Sequence, residues 1–282
     1  MSAPDTIVAP TAPLDLPALA ADLYRDGIVG LPRCFPPSWA DRLREDFEAA
    51  FAEARSYPGG TISRGPERYY FAVHPERIRG FVDVITHPAV AGLCAEVLGP
   101  DYLIVELGFD VPLPGAKDQP WHRDFATPPV TATTGRLTSL AFNLTTVDVT
   151  PDLAPFEIAP GTQFDDGADF EHGMFPRPEA YGRFQERASR RYPRRGDVSA
   201  RTGLTVHRGT ENHSAGTRAV LILGMVTGDT DPSEIEVHNL VLTRRYFASL
   251  PEAVRPHLHC TLVDELTPIV QKHDIEGLMM GG

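Results

Sequence analysis

Two periodicities divide the chain. In the N-terminal third, apolar residues recur at helical spacing. Residues 16–25 place Leu16, Leu19, Ala20, Leu23 and Tyr24 along one stripe. A short strand-like run follows at 28–31. Residues 38–55 put Trp39, Leu43, Phe47, Ala50 and Phe51 on one helix face, with Ser38 as the cap. Residues 87–98 read as another helix, closed by Gly99-Pro100. From Tyr102 onward the pattern changes to short apolar or alternating segments at 102–111, 137–147, 155–159, 204–206 and 218–226, separated by turn clusters at 112–120 and 150–152. The 27 prolines and 24 glycines fit such frequent punctuation. This pattern predicts a mainly β protein, a sandwich or barrel of antiparallel strands with helices packed outside it. Residues 161–195 form a polar insert, expected as a long loop with a helical stretch near 179–191, and loops of that length often serve as lids. Residues 250–255 read as one more helix. The remaining division is a disordered, proline-bearing lead-in at 1–15 before a single domain at 16–282.

Composition narrows the function classes. A chain of 282 residues with 42% apolar and 23% charged positions supports one large core and excludes fibrous repeats and wholesale disorder. The net charge of −12 argues against nucleic acid or an anionic membrane surface as partner. No apolar run approaches the roughly 20 residues needed to span a bilayer, and the first fifteen residues lack the basic and apolar regions of a signal peptide. Cys34, Cys94 and Cys260 are too scattered for a disulfide framework. The expectation is a cytoplasmic monomer or homodimer acting on a small molecule.

Glycine-rich phosphate loops, dinucleotide fingerprints, HExxH and GxSxG are all absent. What remains is a set of histidines. His122-Arg123-Asp124 puts an imidazole and a carboxylate at i and i+2, on the same side of an extended strand and spaced to share one metal ion. With 10 histidines and 21 aspartates, chance alone supplies about 0.7 such triplet. The downstream segment adds weight. Arg195-Gly196-Asp197-Val198 opens a turn and a strand, His207 lies ten residues after Asp197, and Arg218 begins the last apolar strand. If the strands of His207 and Arg218 pair as a hairpin, His207 completes a two-histidine, one-carboxylate face and Arg218 enters the same cavity. That ligand set leaves open positions on a non-haem iron. A buried arginine beside it suits a carboxylate-bearing co-substrate.

At these residues the chain resembles the phytanoyl-CoA dioxygenase-type family of Fe(II)/2-oxoglutarate oxygenases, from about residue 16 to residue 258. The matching pieces are Arg25-Asp26-Gly27-Ile28-Val29, His87-Pro88-Ala89-Val90, Leu98-Gly99-Pro100 and Gln119-Pro120-Trp121-His122-Arg123-Asp124. Ile158-Ala159-Pro160-Gly161-Thr162, Gly196-Asp197 and the block His207, Asn212-His213-Ser214, Arg218 follow. The resemblance implies a double-stranded β-helix (jelly-roll, cupin-like) core and iron ligation by His122, Asp124 and His207. It also implies that Arg218 holds the distal carboxylate of 2-oxoglutarate. The implied reaction is oxidation of an unactivated C–H bond using O2, with formation of succinate and CO2, plausible in bacterial secondary or amino-acid metabolism. Because Asp124 is present, hydroxylation or another oxidative outcome is favoured over halogenation.

The chain departs from the family in three places. Asn143 stands where a tryptophan is usual and is expected to contact the co-substrate. Leu153-Ala154 replaces Asn-Gly, and Thr162-Gln163 replaces Ser-His. The early strand and the metal motif supply Arg68, Tyr70 and Phe125 as candidates for substrate contact. Seven arginines between 183 and 201 read either as an anion-binding lid or as a solvated face neutralised by Asp165, Asp166, Asp169, Glu171 and Glu179. His213 and the His257-Leu258-His259-Cys260 cluster read as structural. The rival functions are a cupin-type metal enzyme that does not use 2-oxoglutarate and a non-catalytic binding protein on the same scaffold.

Overall fold

The computed structural model describes residues 14–231 and 240–271. Most of the expected lead-in at 1–15 therefore lies outside the described residues. The elements run α1 (Leu16–Asp26), β1 (Ile28–Leu31), α2 (Pro37–Arg55), β2 (Ile62–Ser63), β3 (Arg68–Ala72), α3 (Phe81–Ile85) and α4 (Pro88–Leu98). Next come β4 (Leu103–Pro112), α5 (Pro129–Thr134), β5 (Ser139–Thr145), β6 (Phe156–Ile158), β7 (Phe170–Glu171), β8 (Phe175–Pro176), α6 (Tyr181–Arg187) and β9 (Ser189–Arg191). The last strands are β10 (Val198–Arg201), β11 (His207–Gly209), β12 (Val220–Val226), β13 (Leu240–Thr243) and β14 (Cys260–Val263).

Seven strands form a major sheet in the order β1-β10-β5-β12-β4-β3-β2, and β11-β6-β9 form a minor one. Both are antiparallel throughout. Alternation, interrupted by a bulge where β12 pairs with β4 at Gly224–Met225, assigns the two faces of the major sheet. Leu107, Phe109 and Val111 of β4, Leu140, Phe142 and Leu144 of β5, and Leu221, Leu223 and Met225 of β12 enter the hydrophobic core. There they meet the helices: Phe47 of α2 lies 5.3 Å from Phe109 and 6.5 Å from Phe71, ring to ring. The opposite face of the same strands, Glu106 and Asp110, Ala141 and Asn143, Val220 and Ile222, lines a cavity of about 680 Å³ shared with the minor sheet. This is the mainly β architecture, a jelly-roll core with helices on its outer face, that the sequence predicts.

Several local expectations shift. The helix α2 begins at Pro37 rather than Ser38. Residues 204–206 form a turn, and the strand begins at His207. Residues 250–254 are not helical; they lie between the helix Arg244–Ser249 and a 3-10 turn at Arg255–His257. The insert at 161–195 is no structureless loop: it holds the β7–β8 hairpin, α6 and β9, and its helix stops at Arg187 because residues 189–191 pair with β6. Phe170 and Phe184 of the insert pack with Trp121, Ala159 and Val206 in a second small core, which anchors it. Ala154, at the place where the family commonly has glycine, takes the left-handed conformation at φ 45°. Among the described residues, no helix is long and apolar enough to cross a membrane.

Gly27 ties the helical layer to the second sheet. It closes α1 in the left-handed conformation, φ 73°, where a Cβ would stand 2.0 Å from the Thr205 hydroxyl. Its carbonyl accepts from the Thr202 N–H and the Thr205 hydroxyl, both at 3.1 Å. Gly27→Ala is expected to cost at least about 2 kcal/mol, from left-handed strain plus steric overlap; the midpoint of urea unfolding measures it.

Candidate metal centre

The loop between β4 and α5 laces itself along β11. The Gln119 N–H donates to the Gly209 carbonyl, His122 and His207 exchange reciprocal N–H···O bonds at 3.0 and 2.9 Å, and the Asp124 N–H donates to the Gly203 carbonyl. This single antiparallel bridge corrects two expectations. His122–Asp124 is not a strand, and the His207 strand does not pair with the strand that follows Arg218: β11 pairs with β6, while β12 pairs with β4 and β5. A bridge partner lies on the same side as its opposite number, so the two imidazoles stand together, 4.4 Å between centroids.

The Nδ1 atoms of both rings face backbone carbonyls, His122 to Pro120 at 2.9 Å and His207 to Thr205 at 2.8 Å. A carbonyl only accepts, so each Nδ1 carries the proton and each Nε2 presents a lone pair. His207 Nε2 lies 3.3 Å from one Asp124 oxygen, Oδ1. Ligand atoms of His122, Asp124 and His207 all fall within 4.8 Å of one another, a spacing that could hold one metal ion. Burial, reinforced by the neighbouring His207, pushes the His122 pKa down to about 3 and keeps the ring neutral. Burial alone would push the Asp124 carboxyl up, but Arg201 and His207 hold it well below the usual carboxylate range. Neutral imidazoles and an ionised carboxylate are the protonation states that ligation requires.

The other Asp124 oxygen accepts from Arg201 Nη1 at 2.5 Å. Arg201 is a buried residue of β10, which the sequence places only in the arginine run and not beside the triad. Its signal lay in the alternation of that strand, where Val198 and Ala200 face the core and Ser199 and Arg201 face the cavity. Gly203, packed against Phe125 and the Asp124 carboxylate, leaves no room for a side chain there.

Arg218 enters the cavity from the other end. Its Nη2 lies 3.3 Å from Asp110 Oδ2, which also accepts from Arg68 Nη1 at 3.0 Å. Arg68 is wholly buried, donates to the Thr210 carbonyl at 2.8 Å and stacks where a Cβ on Gly209 would stand 2.4 Å from its Nη1. It shares Asp110 with Arg218 and is not part of the cavity wall. Tyr70, Phe125 and Asn143 do line the cavity. Asn143 sits on β5 between Ile222 and Ser199. Asp110 is a residue the sequence reading passed over, an acid at a cavity-facing position of an otherwise apolar strand. Burial lowers the Arg218 pKa to about 10, still far above neutral. Two guanidinium groups thus share one carboxylate, and the Nε atoms of both are buried without a hydrogen-bond partner. The arrangement holds one positive charge more than its own residues neutralise, which suits it to an incoming carboxylate.

His213 is exposed beside Glu211, and His257 stacks on Tyr102 while bonding its carbonyl, so neither joins the site. In the arginine run, Arg183 pairs with Asp165 and Asp169, as a solvated face would.

Comparison with known proteins gives a family and a fold. A family model described as phytanoyl-CoA dioxygenase (PhyH) matches residues 23–220. No curated protein matches the chain. Among solved structures, EctD from S. alaskensis with 2-oxoglutarate and 5-hydroxyectoine superimposes with a TM-score of 0.60 at 17% identity, covering 78% of each chain. The non-heme alpha-ketoglutarate-dependent carbocyclase SnoK from nogalamycin biosynthesis gives 0.59 at 18% identity, over 77% of this chain and 87% of that one. HygX from Streptomyces hygroscopicus, with nickel and 2-oxoglutarate bound, gives 0.59 at 13% identity, over 82% of this chain and 91% of that one. At these identities the likeness is one of fold.

Asp110→Asn leaves Arg68 and Arg218 facing each other without a counter-charge. It is expected to lower the unfolding free energy by about 3 kcal/mol, the scale for stripping one partner from a buried ion pair, as read by urea denaturation against wild type.

Proposed function

The chain belongs to the phytanoyl-CoA dioxygenase family, and on that premise we propose that it is an Fe(II)- and 2-oxoglutarate-dependent oxygenase. Its reaction is the hydroxylation, or another oxidation, of an unactivated C–H bond of a small cytoplasmic molecule. The observation that carries this reading is a conjunction within one cavity. Two imidazoles with inward lone pairs and one ionised carboxylate stand at one end, and an arginine with unmet hydrogen-bonding capacity stands at the other. A metal enzyme with no carboxylate-bearing co-substrate has no use for the second feature.

In this reading His122, His207 and Asp124 hold the iron, and Arg218 holds the distal carboxylate of 2-oxoglutarate. When bound, iron and 2-oxoglutarate supply, with O2, an oxidant able to break a C–H bond, and succinate and CO2 are released. The protein's own contribution is position and environment. The bridge between His122 and His207 fixes both rings. The carbonyls of Pro120 and Thr205 fix their tautomers, an orientation that outer partners commonly impose on ligating histidines. Arg201 occupies one Asp124 oxygen and leaves the other for the metal. Asn143 serves the co-substrate through its amide, and Tyr70 and Phe125 contact the substrate. Phe125, Phe156, Met174 and Phe175 give the site an apolar wall that limits water. Asp124 fills the position that a halide would need, so hydroxylation, desaturation, ring closure or epimerisation is favoured over halogenation.

Anaerobic addition of Fe(II) and 2-oxoglutarate is expected to give a weak visible charge-transfer band. The band should vanish in His122→Ala and weaken in Arg218→Ala, and wild-type protein should form succinate slowly without substrate. A wild-type protein showing neither band nor succinate contradicts the assignment.

A further inference from the structure

The charge on the cavity wall runs opposite to that of the protein. The chain carries a net −12. Yet among the described residues the cavity is lined by five guanidinium groups, Arg64, Arg123, Arg191, Arg201 and Arg218, against three carboxylates, Glu106, Asp110 and Asp124. That excess of two positive charges survives loading, because an Fe(II) ion and a 2-oxoglutarate dianion cancel one another. A cleft of one sign within low-dielectric walls draws in ligands of the other sign.

Four of the five arginines have partners. Arg123 donates to the Thr127 hydroxyl and to the carbonyls of Thr162 and Asp165. Arg201 grips Asp124, and Arg218 shares Asp110. Arg64 lies over the Tyr70 ring at 5.4 Å. Arg191 is different. It lines the cavity, its Nε is buried without a hydrogen-bond partner, and among the described residues its guanidinium forms no ion pair. Asp26, near enough to feel its charge, is already held by Arg25 at 2.7 and 3.1 Å. Elsewhere in the run, Arg183, Arg190 and Arg195 pair with acids outside the cavity, and Arg187 and Arg194 do not line it.

The minor sheet sets where Arg191 stands relative to the metal ligands. Arg191 pairs directly with Phe156, and Phe156 with Gly209, so these three form one row on the cavity face. The Phe156 ring lies 5.2 Å from the His207 ring. Arg191 is therefore two strand spacings, roughly 10 Å, from the His207 strand, with an aromatic floor between.

We propose that the cavity takes an anionic substrate whose carboxylate or phosphate group is held by Arg191, with its apolar body lying across Phe156 toward the His122–Asp124–His207 triad. The fate of that substrate rests on the oxygenase reading; the anion site does not.

The test is calorimetric titration with hexanoate, octanoate and decanoate, the alkyl phosphates of the same chains, and the corresponding amides. Ni(II) and 2-oxoglutarate are present to fill the triad and Arg218 without turnover. The acids are expected to bind about tenfold or more tighter than the amides, the scale of one charge-assisted contact, and the stronger acid class identifies the headgroup. Arg191→Met should erase that preference while amide binding persists, and Arg191→Lys should keep part of it. The preference should also survive in Arg218→Met protein titrated without metal or 2-oxoglutarate, which separates this site from the co-substrate anchor. Equal affinity for acids and amides, no binding of any acid, or parallel loss of both classes in Arg191→Met overturns the proposal. An intact acid preference in a wild-type protein that lacks the Fe(II)/2-oxoglutarate band supports the anion site and sinks the oxygenase reading.

Discussion

The site depends on one pair of backbone hydrogen bonds. His122 and His207 are 85 residues apart in sequence, and their reciprocal N–H···O bonds at 3.0 and 2.9 Å are what make them neighbours. Once that bridge forms, the rest follows from ordinary backbone geometry. Both rings fall on the same side, the carbonyls of Pro120 and Thr205 set their tautomers, and Asp124, two residues on, bonds Gly203 and turns its carboxylate inward. The bridge is in turn held by the layers around it. Gly27 carries Thr202 and Thr205 from the helical side, and Trp121 and Val206, each adjacent to a bridging histidine, sit in the insert's small core. A metal centre built this way is positioned before any metal arrives, which limits the ordering a ligand must impose.

The second organising constraint is charge in a low dielectric. A buried guanidinium is tolerated only with a partner, and the cavity solves this differently at each end. At the triad, Arg201 and Asp124 neutralise one another, so the metal meets a carboxylate with one oxygen already engaged. At the far end, Arg68 and Arg218 share Asp110 and remain one negative charge short. Beside the minor sheet, Arg191 forms no ion pair among the described residues, and Asp26, which feels its charge, is already held by Arg25. The cavity is thus incomplete in charge at two separate places, which is a physical reason to expect two separate anionic groups, one from a co-substrate and one from a substrate.

Much of this was legible in the sequence, and the limits are instructive. Short apolar or alternating segments at 102–111, 137–147 and 218–226, set apart by turn clusters, identified the central strands, because each strand is covered on both faces, by the helical layer on one side and the cavity on the other. Spacing drew attention to His122, Asp124, His207 and Arg218, and the resemblance to the family gave them their roles. What spacing misjudged was how they meet. The hairpin expected between the His207 and Arg218 strands would have been the local solution, but β11 and β12 belong to different sheets, and the contact to His122 is made by a loop. Long-range pairing of short strands leaves no local trace, since a three-residue strand such as β11 or β9 has too few positions to show a period. The role of Arg201 beside the triad and the whole of Asp110 escaped notice for a related reason. Their partners lie far off in sequence, and a lone charge in an apolar strand gives no hint of whom it faces. The insert at 161–195 was misjudged in kind, because its polar composition masked Phe170 and Phe184, the two aromatics that fasten it.

The central claim is that one divalent metal is held by His122, His207 and a single oxygen of Asp124. The direct measurement is an anomalous-scattering crystal structure of the anaerobic iron-loaded protein. The account predicts one metal peak within roughly 2.0–2.2 Å of the two Nε2 atoms and of Asp124 Oδ1, with Oδ2 still on Arg201. A metal bound by both Asp124 oxygens with Arg201 displaced, or iron located away from the bridge, would contradict it.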